Sequence, residues 1–146
     1  VLMLLNMNVT VPLDRAREQL REVGLRPTRQ RLALARLLFQ DCARHITAEG
    51  LHAEAAEEGI RVSLATVYNS LHQFVRVGLL REIVVDSGRA YFDTNTSNHH
   101  HFFLETEGRL EDIGAEQVAL ARLPEPPEGT RIGRVDVIIR VQEDNE

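Results

Sequence analysis

The sequence has one cysteine and no lysine. With Cys42 as the only thiol, a disulfide framework and a cysteine-built zinc cage are both excluded, which fits a reducing cytoplasm. No run approaches the ~18 apolar residues that a membrane-spanning helix requires, so no membrane partner is expected. Val1-Leu2-Met3-Leu4-Leu5 is apolar but short, with no positive flank and no small-residue cleavage pattern, and it reads as a loose arm or an over-called start rather than a leader. There is no internal repeat. All 17 basic residues are arginine, for which the sequence offers no functional account.

What is present is an asymmetry. The net charge of -5, taken whole, speaks mildly against nucleic acid. Up to Phe92, however, there are 12 arginines against 10 acids, and from Asp93 onward 5 against 12. Within the first 40 residues the ratio is 7 to 3. A basic front half and an acidic back half suggest two jobs in one chain.

The apolar spacing predicts four helices. Asp14 caps a first that runs to Val23 and stops at Gly24. Thr28 caps a second, with Leu32, Ala35, Leu38 and Phe39 recurring. Thr47 starts a third that ends at Gly59. Ser63 caps a fourth, whose stripe is Leu64, Val67, Leu71, Phe74 and Val75, and Gly78 ends it. The period then shortens. Leu80–Val85 and Ala90–Asp93 flank the turn Asp86-Ser87-Gly88-Arg89 as a hairpin. Helices followed by a two-stranded hairpin form the pattern of a winged helix-turn-helix. Beyond a polar hinge at Asn95-Thr96-Ser97-Asn98, strands are predicted at His101–Glu105, Arg109–Ile113 and Val135–Val141, with a short helix over Ala115–Arg122. The fold class is α+β: arm 1–13, winged-helix domain 14–94, hinge 95–98, and a small α/β domain 99–146. A three-stranded unit of that size cannot hide both faces alone, so pairing with a second copy is expected.

Two groups of residues carry chemistry. On the fourth helix, Ala65, Thr66, Asn69, His72, Gln73 and Arg76 lie opposite the apolar stripe, with Tyr68 at the border. That small, polar surface near a helix start, with Ser63 at the cap, suits a recognition helix in a major groove. Arg26, Arg29 and Arg31 are candidate phosphate contacts. The second group is His99-His100-His101, half of the six histidines. On a strand His99 and His101 share one face and His100 takes the other. Asp93 and Asp112 bracket the run, and His45 precedes the third helix. Imidazoles with carboxylates favour iron, manganese or zinc over calcium.

Three ordered segments, Gly24-Leu25-Arg26-Pro27-Thr28-Arg29-Gln30-Arg31, Ser63-Leu64-Ala65-Thr66-Val67-Tyr68-Asn69 and His99-His100-His101, resemble the ferric uptake regulator family from about Asp14 to Val141. The resemblance implies a winged helix joined to an α/β dimerisation domain, acting as a homodimer on AT-rich inverted repeats. It gives Tyr68 a base contact and Arg26 an approach to the minor groove. It implies a regulatory metal site at His45, Asp93, His99, His101 and Asp112. Many members hold a structural zinc with a C-x-x-C pair where this chain has Leu104 and Glu107, so no cysteine-type zinc is expected. Many also carry arginine where this chain has Asn69.

The missing cysteine pair, His-His-His-Phe-Phe, Tyr91-Phe92-Asp93-Thr94-Asn95 and Leu123-Pro124-Glu125-Pro126-Pro127-Glu128-Gly129 are similar to the iron response regulator (Irr) branch. That implies an iron-responsive repressor of haem-synthesis and iron-use genes, sensing iron as haem, with a haem-delivering protein as a further partner. An early Cys-Pro haem motif is absent, since Ala43 follows Cys42, leaving His99, His100 and His101 as haem candidates. Competing readings are a peroxide-sensing repressor of the same family, a non-haem iron enzyme using two histidines and a carboxylate, and a metal-storage protein. The absence of a second motif to shape a substrate pocket weighs against the enzyme.

Overall fold

The computed structural model describes residues 10–40 and 42–145. It divides between Thr96 and Ser97 into two compact units, a boundary that falls inside the segment read as a hinge.

The first unit holds helices α1 (Leu13–Glu22) and α2 (Arg29–Leu38), strand β1 (His45–Ile46), helices α3 (Ala48–Glu57) and α4 (Leu64–Arg76), and strands β2 (Arg81–Asp86) and β3 (Arg89–Asp93). Three helices start where a hydroxyl caps them. Thr28 accepts from the Arg31 N–H, Thr47 from Gly50 and Ser63 from Thr66, each satisfying a donor that the first turn leaves open. The first helix departs from the sequence reading. It follows Pro12, which makes no side-chain cap. Asp14 sits inside the first turn, where its charge suits the helix dipole, and pairs with Arg17 at 3.1 Å.

The loose arm expected over 1–13 does not hold for its described residues. Its residues 1–9 lie outside the described residues, but Val11 is buried. Its N–H donates to the Arg36 carbonyl at 3.0 Å and its carbonyl accepts from Arg36 Nε at 2.8 Å.

Buried Leu20, Leu34, Leu38, Leu51, Val67, Leu71, Phe74 and Phe92 make one core. The inward face of α4 supplies Val67, Leu71 and Phe74, one turn apart in succession. Gly78 follows with φ +82°, a left-handed stop that only glycine adopts freely. The chain then turns into the β2–β3 hairpin. The sheet order is β1-β3-β2, antiparallel throughout. The two-residue β1 is invisible to periodicity, yet it sets His45 directly across from Asp93.

The second unit holds β4 (His99–Leu104), β5 (Arg109–Gly114) and β6 (Ile138–Val141), in the order β5-β4-β6. Strands β4 and β5 form a hairpin, and β6 pairs parallel to β4. Phe103, Leu110 and Ile113 are buried within it. The helix expected over Ala115–Arg122 is a single 3-10 turn at Ala115–Gln117. A helix that short survives only by packing an apolar face, and Leu120 and Leu123 are exposed.

The two faces of α4 make a direct test of this packing. Leu71→Ala removes a fully buried side chain and is expected to lower unfolding stability by about 2–5 kcal/mol. Asn69→Ala, on the exposed face, is expected to change it by less than about 0.5 kcal/mol. Urea denaturation of both variants measures this, and equal losses would mean that the faces are misassigned.

Candidate functional site

In the first unit, the outward surface of α4 begins at its cap. Ser63 Oγ accepts the Thr66 N–H at 3.1 Å and donates to Thr66 Oγ1 at 2.9 Å. Beyond it Ala65, Asn69, His72 and Arg76 are exposed, while Thr66, Tyr68 and Gln73 are half-buried. This is the surface that the sequence marked for base contact. The Tyr68 hydroxyl donates to Glu49 Oε1, in the first turn of α3, at 2.7 Å. That hydrogen bond holds the Glu49 carboxyl below its ordinary range and raises the Tyr68 phenol above its own. Its aromatic neighbour one turn on is His72, with centroids 6.2 Å apart, and His72 Nε2 lies 3.6 Å from Glu82 of β2.

The three arginines of the Gly24–Arg31 segment differ. Arg26 and Arg29 are exposed. Arg31 is committed to the protein: Nε and Nη2 donate to Gln73 Oε1 at 3.1 and 3.0 Å, and Nη1 donates to the Arg26 carbonyl at 2.9 Å. It braces the start of α2 against α4, where the sequence had offered it to phosphate. Arg61, which the sequence reading passed over, joins Arg29 in lining a cavity of about 470 Å3 with Gln30, Ala33, Gly59 and Ile60. A lone arginine just before a helix cap gives no periodic signal. A separate cavity of about 510 Å3 lies between α4 and the hairpin, and its lining includes Glu49, Tyr68, His72, Glu82, Asp86 and Arg89.

The imidazole–carboxylate groups fall in both units. In the first, His45 Nε2 is 3.1 Å from Asp93 Oδ2. Asp93 is fully buried, and its Oδ1 accepts the Asn95 N–H at 2.9 Å. A buried carboxylate persists only with such partners. Arg81, also buried, stands opposite it in the β2–β3 register.

In the second unit, His99 and His101 take the same face of β4, with ring centroids 4.6 Å apart. The Nε2 of each lies 3.4 Å from Asp112 Oδ1, and Asp112 is the cross-strand partner of His101. His99 Nδ1 donates to the Ser97 carbonyl at 2.7 Å, which leaves the Nε2 lone pair directed at Asp112. A ring lone pair and a carboxylate oxygen are both acceptors unless the ring takes a second proton. A shared cation relieves that conflict, so the donor set suits a divalent ion. His100 points the other way. Its Nδ1 accepts the Val137 N–H at 3.1 Å, fastening the segment that leads into β6.

The profile of the Ferric uptake regulator family matches residues 22–128. The Peroxide-responsive repressor PerR of Staphylococcus aureus strain Mu50 is 32% identical over 106 residues, covering 73% of this chain and 71% of that protein. The structure is similar to that of the ferric uptake regulator from Pseudomonas aeruginosa with manganese, with a TM-score of 0.66 and 25% identity, covering 88% of this chain and 97% of the other. The Vibrio cholerae ferric uptake regulator (Fur) superposes with a TM-score of 0.67 at 22% identity, over 86% of this chain and 98% of the other, a likeness of fold.

The two sides of β4 predict different variants. His101→Ala is expected to weaken Mn(II) binding by more than the ~10–100-fold that outer-shell changes cost. His100→Ala is expected to keep Mn(II) affinity but to lower stability by about 0.5–1.5 kcal/mol, because the half-buried Val137 N–H loses its acceptor. Calorimetric titration and denaturation in chelator separate the two, and equal metal loss in both variants would contradict the assignment.

Proposed function

Because the chain belongs to the ferric uptake regulator family, we propose that it is a metal-responsive transcriptional regulator that binds AT-rich inverted repeats as a homodimer. The observation that carries this reading is the convergence of His99, His101 and Asp112 on one sheet face, in a chain whose other unit exposes a capped, polar helix face beside a hairpin. The proposed ligands are His45, Asp93, His99, His101 and Asp112, each offering one nitrogen or oxygen. The first two precede the 95–98 segment and the last three follow it. Were one ion to draw on both groups, these residues would tie the DNA-binding unit to the unit that follows it in one pose, and DNA affinity would depend on metal. The ion supplies positive charge and, when it is iron, redox reactivity.

Ser63, Ala65, Thr66, Tyr68 and Asn69 are the proposed base-reading surface. Arg26, Arg29 and Arg76 are the proposed backbone contacts, and Arg31 holds the helix that reads. The partner is a second copy of the chain through the unit after Ser97, where Leu120, Leu123, Ile132 and Ile139 stand exposed. The described residues include no helix long and apolar enough to cross a membrane.

The finer reading is the Irr branch, in which iron is sensed as haem. His99 and His101 hold Nε2 atoms suited to haem iron, whereas His100 already accepts the Val137 N–H. Were His99 and His101 to hold haem, they would no longer be free for the ion, so haem would lower DNA affinity and iron sufficiency would end repression. The second reading is peroxide sensing. It is favoured by the 32% identity to a peroxide-responsive repressor and by a donor set of three histidines and two aspartates.

Fluorescence anisotropy on an inverted repeat selected from a random library tests these readings together. Mn(II)-loaded protein is expected to bind more tightly than chelated protein. Tyr68→Ala and Asn69→Ala are each expected to lose about 1–3 kcal/mol of sequence discrimination, and Arg26→Ala to flatten the salt dependence. Haem added to metal-loaded protein is expected to weaken binding, and His99→Ala/His101→Ala to abolish that response. Weakening by hydrogen peroxide with iron, and none by haem, would favour the peroxide sensor. Identical affinity with and without metal would contradict the metal-responsive reading.

A further inference from the structure

The outward face of α4 carries one contact that base reading alone leaves unexplained. A phenol has one proton to donate and lone pairs to accept with, and the Tyr68 proton is already given to Glu49 at 2.7 Å. Both members of the pair reach the surface, Glu49 exposed and Tyr68 half-buried. The Tyr68 ring is also neighboured by His72, which is itself paired with Glu82, so its orientation is set from two sides before any ligand arrives. What the pair presents outward is acceptors only: the phenol oxygen and the carboxylate.

The surroundings favour a base over a phosphate here. The cavity beside Tyr68 is lined by Glu49, Glu82 and Asp86, and its one arginine, Arg89, is paired with Asp86. A phosphate finds its cations elsewhere in this unit, at the cavity that Arg29 and Arg61 line. In the major groove the groups that answer an acceptor are exocyclic amines, N6 of adenine and N4 of cytosine, and a glutamate is a suitable partner for the latter. Guanine O6 and N7 and thymine O4 are acceptors and are repelled.

Resting on the DNA-reading assignment above, we propose that Glu49 is a specificity-determining residue, which makes Tyr68 an obligate acceptor so that the pair selects a base carrying a major-groove amino group. Glu49 also adds a negative charge to a DNA-facing surface. Its presence therefore lowers affinity in general and raises discrimination at one base pair in each half-site.

Library selection with Mn(II)-loaded wild type, Glu49→Ala, Glu49→Gln and Tyr68→Phe tests this. Wild type is expected to prefer adenine or cytosine about tenfold at one symmetry-related position. Glu49→Ala and Tyr68→Phe are expected to lose that preference and keep the others, with the affinity of Glu49→Ala at low salt equal to or above wild type. Glu49→Gln, whose amide oxygen still takes the Tyr68 proton, is expected to retain it. The selected base shows which amine is read. Replacing it with purine or 2-pyrimidinone, which lack the amine, is expected to cost wild type about tenfold and Glu49→Ala nothing. Unchanged preferences in Glu49→Ala, a uniform loss at every position, or Glu49→Gln behaving as Glu49→Ala would each overturn the proposal and leave DNA reading intact. A wild type that selects no sequence would overturn both.

Discussion

Burial of one stripe of α4 is the constraint on which the first unit depends. Val67, Leu71 and Phe74 are wholly withdrawn from water, and each side chain of that size contributes about 1.5–3 kcal/mol by leaving it. With that stripe fixed, the helix cannot rotate. Ala65, Asn69, His72 and Arg76 are then obliged to face outward. The Ser63 cap fixes where the helix begins, and the Arg31–Gln73 contact fixes how it sits against α2. The proposed base-reading role, which asks a surface to match base edges to within a hydrogen bond, needs this rigidity beneath it.

The second unit works by the alternation of a strand in place of the rotation of a helix. Three consecutive histidines divide between two tasks because successive side chains of β4 leave on opposite faces. His99 and His101 meet Asp112, while His100 takes the Val137 N–H and holds the approach to β6. The Ser97 carbonyl aligns the His99 ring, so the turn before the strand and the strand itself both contribute to the donor set. In the first unit, the short β1 does the equivalent for His45 and Asp93.

Much of this was legible in the sequence, and the reasons are specific. The caps at Thr28, Thr47 and Ser63 and the stripe of α4 follow local rules that the tertiary structure does not override. The face-splitting of His99, His100 and His101 follows from strand geometry alone. What was missed has a common cause. The Arg31–Gln73 brace and the Tyr68–Glu49 bond join residues 42 and 19 positions apart, and no spacing rule reports such pairs. β1 is too short to show a period, and the helix expected over Ala115–Arg122 had local propensity but no apolar partner to pack against. The Asp14 cap failed by two residues, because the helix starts at Leu13 after Pro12, a cap that makes no side-chain hydrogen bond.

The account stands on the coupling of metal binding to DNA binding. Coupling of this kind is reciprocal: the factor by which an ion strengthens DNA binding is the factor by which DNA strengthens ion binding. The most direct measurement is the Mn(II) affinity of the protein, by calorimetry, first free and then saturated with its selected operator. The account predicts tighter Mn(II) binding on DNA, by the same factor that Mn(II) confers on operator affinity, and no such gain in His101→Ala. Equal Mn(II) affinity on and off the operator would contradict it.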